Sequence, residues 1–140
     1  MPTGVGASVT VKAVPTGELA VSQHEPFLRA PALIPSSASG GASAQVVVTN
    51  QSPETLAVML RAVPSTDALD EILHVEVSAR GAVVYSAPLQ GLRTWTNRVL
   101  VFSSGASQAF TVRTWIPVDA VSGWRGNDVE ISLQLKTRPA

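Results

Sequence analysis

Cysteine is absent from the 140 residues, which excludes a disulfide scaffold, a thiolate metal site and a cysteine nucleophile. Charge of either sign is scarce. Ten basic and ten acidic residues give a formal net charge of zero, and neither sign gathers into a run. A nucleic-acid partner is not expected, because displacing phosphate counterions needs a basic stripe. A polybasic membrane anchor is missing for the same reason. No apolar run approaches the roughly 18–20 residues that a spanning helix needs, so membrane insertion is not expected. No signal peptide is evident: Met1-Pro2-Thr3-Gly4-Val5-Gly6-Ala7 reads as the start of a mature domain or of a leaderless protein.

Candidate chemistry is equally thin. The two histidines, His24 and His74, stand fifty residues apart, whereas a metalloprotease helix needs two within one turn and a glutamate between them. Asp70 and His74 have i, i+4 spacing, and His24 adjoins Glu25. The plainer reading of both pairs is a capped turn and two surface histidines. No serine lies in a Gly-x-Ser-x-Gly elbow, and no glycine-rich loop opens a helix to cradle a phosphate. No catalytic residue, metal or cofactor is therefore assigned, and the chain is not expected to be an enzyme.

What the sequence does carry is alternation. With 45% hydrophobic residues and a mean hydropathy of +0.23, the chain can bury a core, and 140 residues suit one domain over 1–140. Val129, Ile131, Leu133 and Leu135 interleave with Glu130, Ser132, Gln134 and Lys136, the period-two pattern of a strand with one wet face. Leu73, Val75 and Val77 alternate in the same way. Residues 44–49 and 56–61 read as two adjacent strands joined by the turn formers Asn50 to Thr55. Further strands are expected at 8–14, 18–22, 83–86, 98–102 and 109–115. Only 65–73 reads as helical, with N-cap residues at its start. The segments 24–41 and 117–127, rich in Pro, Gly and Ser or lacking alternation, read as irregular.

Eight or nine short strands with Gly, Pro and Asn punctuation predict an all-β fold. The expected form is an Ig-like or jelly-roll antiparallel β-sandwich with one short helix near 66–73. Eight arginines against two lysines, with abundant alanine and valine, point to a GC-rich bacterial source. Asn50-Gln51-Ser52 is formally a glycosylation acceptor, but Pro53 follows it and a β-turn is the better reading. Arg125-Gly126-Asn127-Asp128 reads as a tight turn. Trp95 and Trp124, with Trp115 and Tyr85, are candidates for a platform that stacks on a surface glycan or other ligand; for Trp115, at a strand end, capping the core is the commoner role.

Several short motifs follow one another in a familiar order. Gly17-Glu18-Leu19-Ala20-Val21 comes first, then Leu33-Ile34-Pro35 and Val48-Thr49-Asn50-Gln51-Ser52. Trp115-Ile116-Pro117, the loop triplet Trp124-Arg125-Gly126 and the long alternating last strand close the series. This order resembles the camelysin/TasA family of bacterial biofilm-matrix proteins. Two positions depart from the family pattern: Ser36 stands where a glycine follows the proline, and Arg125 where a glutamine separates the aromatic from the glycine. The resemblance implies a jelly-roll-like sandwich that works outside the cell or on its surface and assembles into homo-oligomers or fibres. In such fibres an N-terminal segment of one subunit joins the sheet of the next. Residues 1–14 suit that donor role, with Val5, Val9 and Val11 as the inserting side chains and Thr10 and Lys12 facing water. The alternative, that the same stretch is simply the domain's own first strand, is the commoner case. Part of the family is described as proteolytic, but this sequence offers no metal ligands for it and that activity is not carried over.

Overall fold

Each long strand is written with two faces, and the fold follows from turning the apolar ones towards each other. The computed structural model describes residues 6–15, 17–23, 25–96, 100–120 and 124–140. Ten strands run in the order β1 (Ala7–Pro15), β2 (Leu19–Val21), β3 (Leu28–Leu33), β4 (Ala42–Asn50), β5 (Leu56–Pro64), β6 (His74–Ala79), β7 (Ala82–Pro88), β8 (Leu100–Phe102), β9 (Ser107–Trp115) and β10 (Asp128–Pro139). They form two five-stranded sheets, ordered β3-β1-β10-β5-β8 and β2-β4-β9-β6-β7. The all-β sandwich expected from alternation is what the chain adopts.

The core lies between the sheets. Val9 and Val11 of β1, Val58 and Leu60 of β5 and Ile131, Leu133 and Leu135 of β10 point inward from the first sheet. Val46, Val48, Val75, Val77, Phe110 and Val112 do so from the second. Phe102 and Phe110 stack with ring centroids 6.2 Å apart. Burying each such side chain contributes about 1.5–3 kcal/mol. Among the described residues no helix is long and apolar enough to cross a membrane.

Nearly every ladder is antiparallel. The exception among the described strands is β1 with β10, which run parallel in a register from Ser8↔Asp128 to Pro15↔Leu135. The β6–β7 hairpin closes on Arg80 and Gly81, both at positive φ (56° and 72°), the two-residue turn whose twist matches that of its strands. Arg80 also ties the sheets together: its guanidinium donates to the Val101 carbonyl at 2.8 Å and to Gln108 Oε1 at 2.9 Å.

Three expectations need correction. The segment 24–41 was expected to be irregular, but it contains β3. Pro31 and Arg29 interrupt its apolar pattern, and a proline is tolerated because β3 is an edge strand with only β1 beside it. The stretches 44–49 and 56–61, expected as neighbours, lie in different sheets, so the link 51–55 crosses the sandwich. The helix expected near 66–73 is a run of turns, with one i→i+4 bond from Leu73 N to Leu69 O at 2.8 Å. Nine residues are too few to pay for helix nucleation, and burial of Leu69 and Leu73 fixes the turns instead. Two 3₁₀ turns form elsewhere, at Ala38–Gly40 and Leu89–Arg93.

Where the chain turns into β4 it packs against the end of β9. A Cβ on Gly41 would lie 2.1 Å from the Thr114 carbonyl oxygen and 2.7 Å from Trp115 Cβ. Gly41→Ala is expected to cost about 3 kcal/mol in a urea melt, by overpacking against backbone. Gly105→Ala has open space around its Cβ but a φ of +75°, and should cost about 1 kcal/mol. Equal losses at the two positions would remove the steric account.

Candidate interaction surface

The N-terminal strand is the first feature to locate. β1 lies inside its sheet, with β10 on one side and β3 on the other. Val9 and Val11 are buried, as are Ala7 and Ala13, while Lys12 faces solvent. Val5 lies outside the described residues. Further bonds run from Ser8 N to Asn127 O (2.8 Å) and from Phe27 N to Val11 O (2.9 Å). Within one chain, then, β1 pairs as the domain's own first strand. It is nonetheless set apart by topology: β2, the next strand, belongs to the other sheet, and Gly17 between them has a φ of +66°. Beside β1, on the outer face of the first sheet, is a trough of about 490 Å³ lined by Thr10, Lys12, Glu25, Ser65, Glu130 and Ser132.

The candidate aromatics are not brought together. Trp124 is 6% exposed and belongs to the core, with the Arg125 guanidinium 4.8 Å from its ring centroid. A ring so buried offers no face to a ligand. Trp95 is half-buried, with Arg61 4.6 Å and Lys136 4.3 Å from its ring centroid. Trp124 stands just before β10 begins, and Lys136 lies eight residues along that strand from Asp128, about 27 Å away. One stacking platform cannot include both. Trp115 makes an edge-to-face contact with His74 at 5.3 Å.

The Asp70–His74 spacing does not make a ligand pair. Asp70 turns to Arg93, whose Nη1 donates to Oδ2 at 2.7 Å, while His74 packs on Trp115. Asp70 Oδ1 is buried without a hydrogen-bond partner. It borders a recess of about 330 Å³ lined by Asp67, Glu71, Gln90 and Arg93 among others. His24 lies outside the described residues, and among the described residues no three His, Asp or Glu side chains are placed to hold a metal ion. Nearby, the Tyr85 hydroxyl donates to the Pro88 carbonyl. Burial pushes the phenol above its ordinary pKa, and a backbone hydrogen bond from Gly91 partly opposes this.

The most constrained polar residue is Asn50, which the sequence offered as a turn residue, a formal glycosylation acceptor and one member of a short motif, but not as a buried one. Its side chain is fully buried. Nδ2 donates to the carbonyls of Glu54 (2.8 Å), Phe102 (3.0 Å) and Ser103 (3.2 Å), and Oδ1 accepts from Ser52 N at 2.8 Å. This network joins the β4–β5 crossing to the β8–β9 turn and leaves no amide proton for a glycan. A valine-rich strand running into Asn, followed by Ser-Pro, was the available signal.

Compared with known proteins, the chain matches no family model and no curated protein.

Proposed function

We propose that this protein is a structural subunit of an extracellular matrix or surface fibre, and that it self-associates by exchanging β1 between copies. The observation that carries this reading is the position of β1. Among the described strands it is the first in sequence yet an interior strand in its sheet, it makes the one parallel ladder, and its inward side chains are buried. Passing it to a neighbour keeps every contact it makes, so exchange costs only association entropy and the rearrangement of residues 15–18. The motif order shared with the camelysin/TasA family agrees with such a role. Each subunit gives one strand and receives another, a head-to-tail relation that propagates when it does not close into a ring.

The test uses the absence of cysteine. Lys12 and Ser132 are register partners across β1 and β10, and cysteines there would meet at a separation that a disulfide spans. Lys12→Cys/Ser132→Cys protein, refolded at high concentration and oxidised, is expected to give a ladder of covalent oligomers on a non-reducing gel. Refolded dilute, it should give monomers linked within the chain. Internally linked monomers at every concentration would overturn the proposal.

A further inference from the structure

The formal charge is zero, but the charges are not evenly spread along the sandwich. Loop 65–73 sits at the end where β10 begins, held by bonds from Ser65 N to Glu130 O (2.8 Å) and from Glu130 N to Ser65 Oγ (2.9 Å). Asp67 and Glu71 are exposed on this loop. With Asp70 they set three carboxylates around the 330 Å³ recess, against the single guanidinium of Arg93. Asp70 is the innermost of the three. Its side chain is 9% exposed, and its Oδ1 has no hydrogen-bond partner although the other oxygen is ion-paired. The carboxylate therefore keeps one buried oxygen unsatisfied.

A basic face lies further along the same sheet. Lys136 and Arg138 project from β10 with the i, i+2 spacing of one face, and Arg61 of β5 joins them. The ring of Trp95 gathers Lys136 and Arg61 by cation–π contact. Among the described residues Arg93–Asp70 is the one ion pair, so these cations have no carboxylate partner among them. Along β10, Glu130 lies four residues from Gln134, the register partner of Arg61, and eight from Arg138, about 13 Å and about 27 Å.

We infer that the acidic recess at loop 65–73 docks on the Arg61–Lys136–Arg138 face of a second copy of this chain. Charge complementarity selects the occupant, because the carboxylates of the recess and the cations of this face each offer what the other lacks. The two surfaces are different, and a head-to-tail contact between them builds a row of subunits where the rotation does not close it into a ring. This deepens the reading of the protein as a self-associating subunit and rests on it, but it uses residues outside β1. Charge steers the encounter and sets its register, while β1 exchange locks neighbours together.

The experiment is sedimentation velocity of the full chain, refolded dilute so that β1 stays in its own sheet, at about 20 mM and about 300 mM salt, since exposed pairs weaken as the screening length shortens. The parent is expected to associate at low salt and to dissociate at high salt. Asp67→Lys/Glu71→Lys should weaken association by about tenfold or more, and so should Lys136→Glu/Arg138→Glu. Mixing these two variants should restore it, because the basic loop of one then faces the acidic strand of the other. The chain carrying all four substitutions should recover as well. The neutral versions, Asp67→Asn/Glu71→Gln and Lys136→Gln/Arg138→Gln, repeat the loss with less change to the surface, and circular dichroism checks each fold. A parent that stays monomeric at low salt, association that ignores salt, or charge-exchanged chains that do not recover would each overturn the inference. The Lys12→Cys/Ser132→Cys ladder, run alongside in the parent and in each charge variant, reports β1 exchange separately. A ladder without salt-sensitive association would sink the polar contact alone, and the absence of any ladder would sink the exchange.

Discussion

Asn50→Asp is expected to lower the stability of the folded chain by about 3–5 kcal/mol, and Asn50→Ala by a similar amount. The asparagine is fully buried, and its amide nitrogen faces three carbonyl oxygens. Aspartate at this position replaces the donor with an acceptor and sets a negative charge against those oxygens. Alanine removes the clash but strands the Phe102 carbonyl and the Ser52 N–H, at about 1–3 kcal/mol for each buried group left without a partner. The damage is not local, because the network spans a crossing between sheets. The Asn50 backbone also bonds to the β8–β9 turn, from Gly105 N to Asn50 O (2.9 Å) and from Asn50 N to Ala106 O (2.9 Å). For a domain of this size the loss corresponds to a melting point lower by roughly 10 °C or more. Thr49→Ala is the control. It removes one exposed hydroxyl contact with Ser107 and should change stability by less than about 0.5 kcal/mol. Thermal and urea melts that put Asn50→Asp within about 1 kcal/mol of the parent would refute the role given to this residue.

Asn50 also marks where the sequence stops being readable. Alternation reports which face of a strand is wet, and it located β1, β5, β6, β9 and β10 to within a few residues. It says nothing about which sheet a strand joins, because an inward valine looks the same on either side of a core. So β4 and β5 read as neighbours although a buried amide sends the chain across the sandwich between them. β3 was hidden for a different reason: an edge strand tolerates Pro31 and the exposed Arg29, and those residues erase the period-two signal. Loop 65–73 carried the caps of a helix, yet Leu69 and Leu73 are both drawn into the core, and tertiary packing overrode a weak local preference. The surfaces followed the same rule. The insertion side of Val9 and Val11 was legible from alternation, whereas the burial of Trp124 and the pairing of Trp95 with Arg61 and Lys136 depend on strands distant in sequence. That Arg61 joins Lys136 and Arg138 on one face depends likewise on the β5–β10 register.

Removing residues 1–14 is expected to leave a chain that cannot hold its sandwich alone but regains it when a peptide of residues 6–15 is supplied. Val9 and Val11 are buried to within 2% of their surface, and together they contribute about 3–6 kcal/mol. Deletion also strips the hydrogen-bonding edges of β10 and β3, which β1 joins, and exposes the core side of that gap. Domains of this kind have only about 5–15 kcal/mol in total, so the loss takes most or all of the margin. The slot itself is not designed away. β10 is still paired with β5 on its other side, and the empty position presents a ready ladder to any strand of the right pattern. Added peptide should therefore restore a cooperative melt whose midpoint climbs with peptide concentration, as linkage requires of a ligand that binds only the folded form. A peptide carrying Val9→Asp and Val11→Asp should fail, since its inward positions would bury charge. If the truncated chain melts where the parent does, β1 is dispensable and its exchange could not hold a fibre together. If the truncated chain loses its fold and the native peptide does nothing, the slot takes its strand only from within the chain, and self-association must run through another surface.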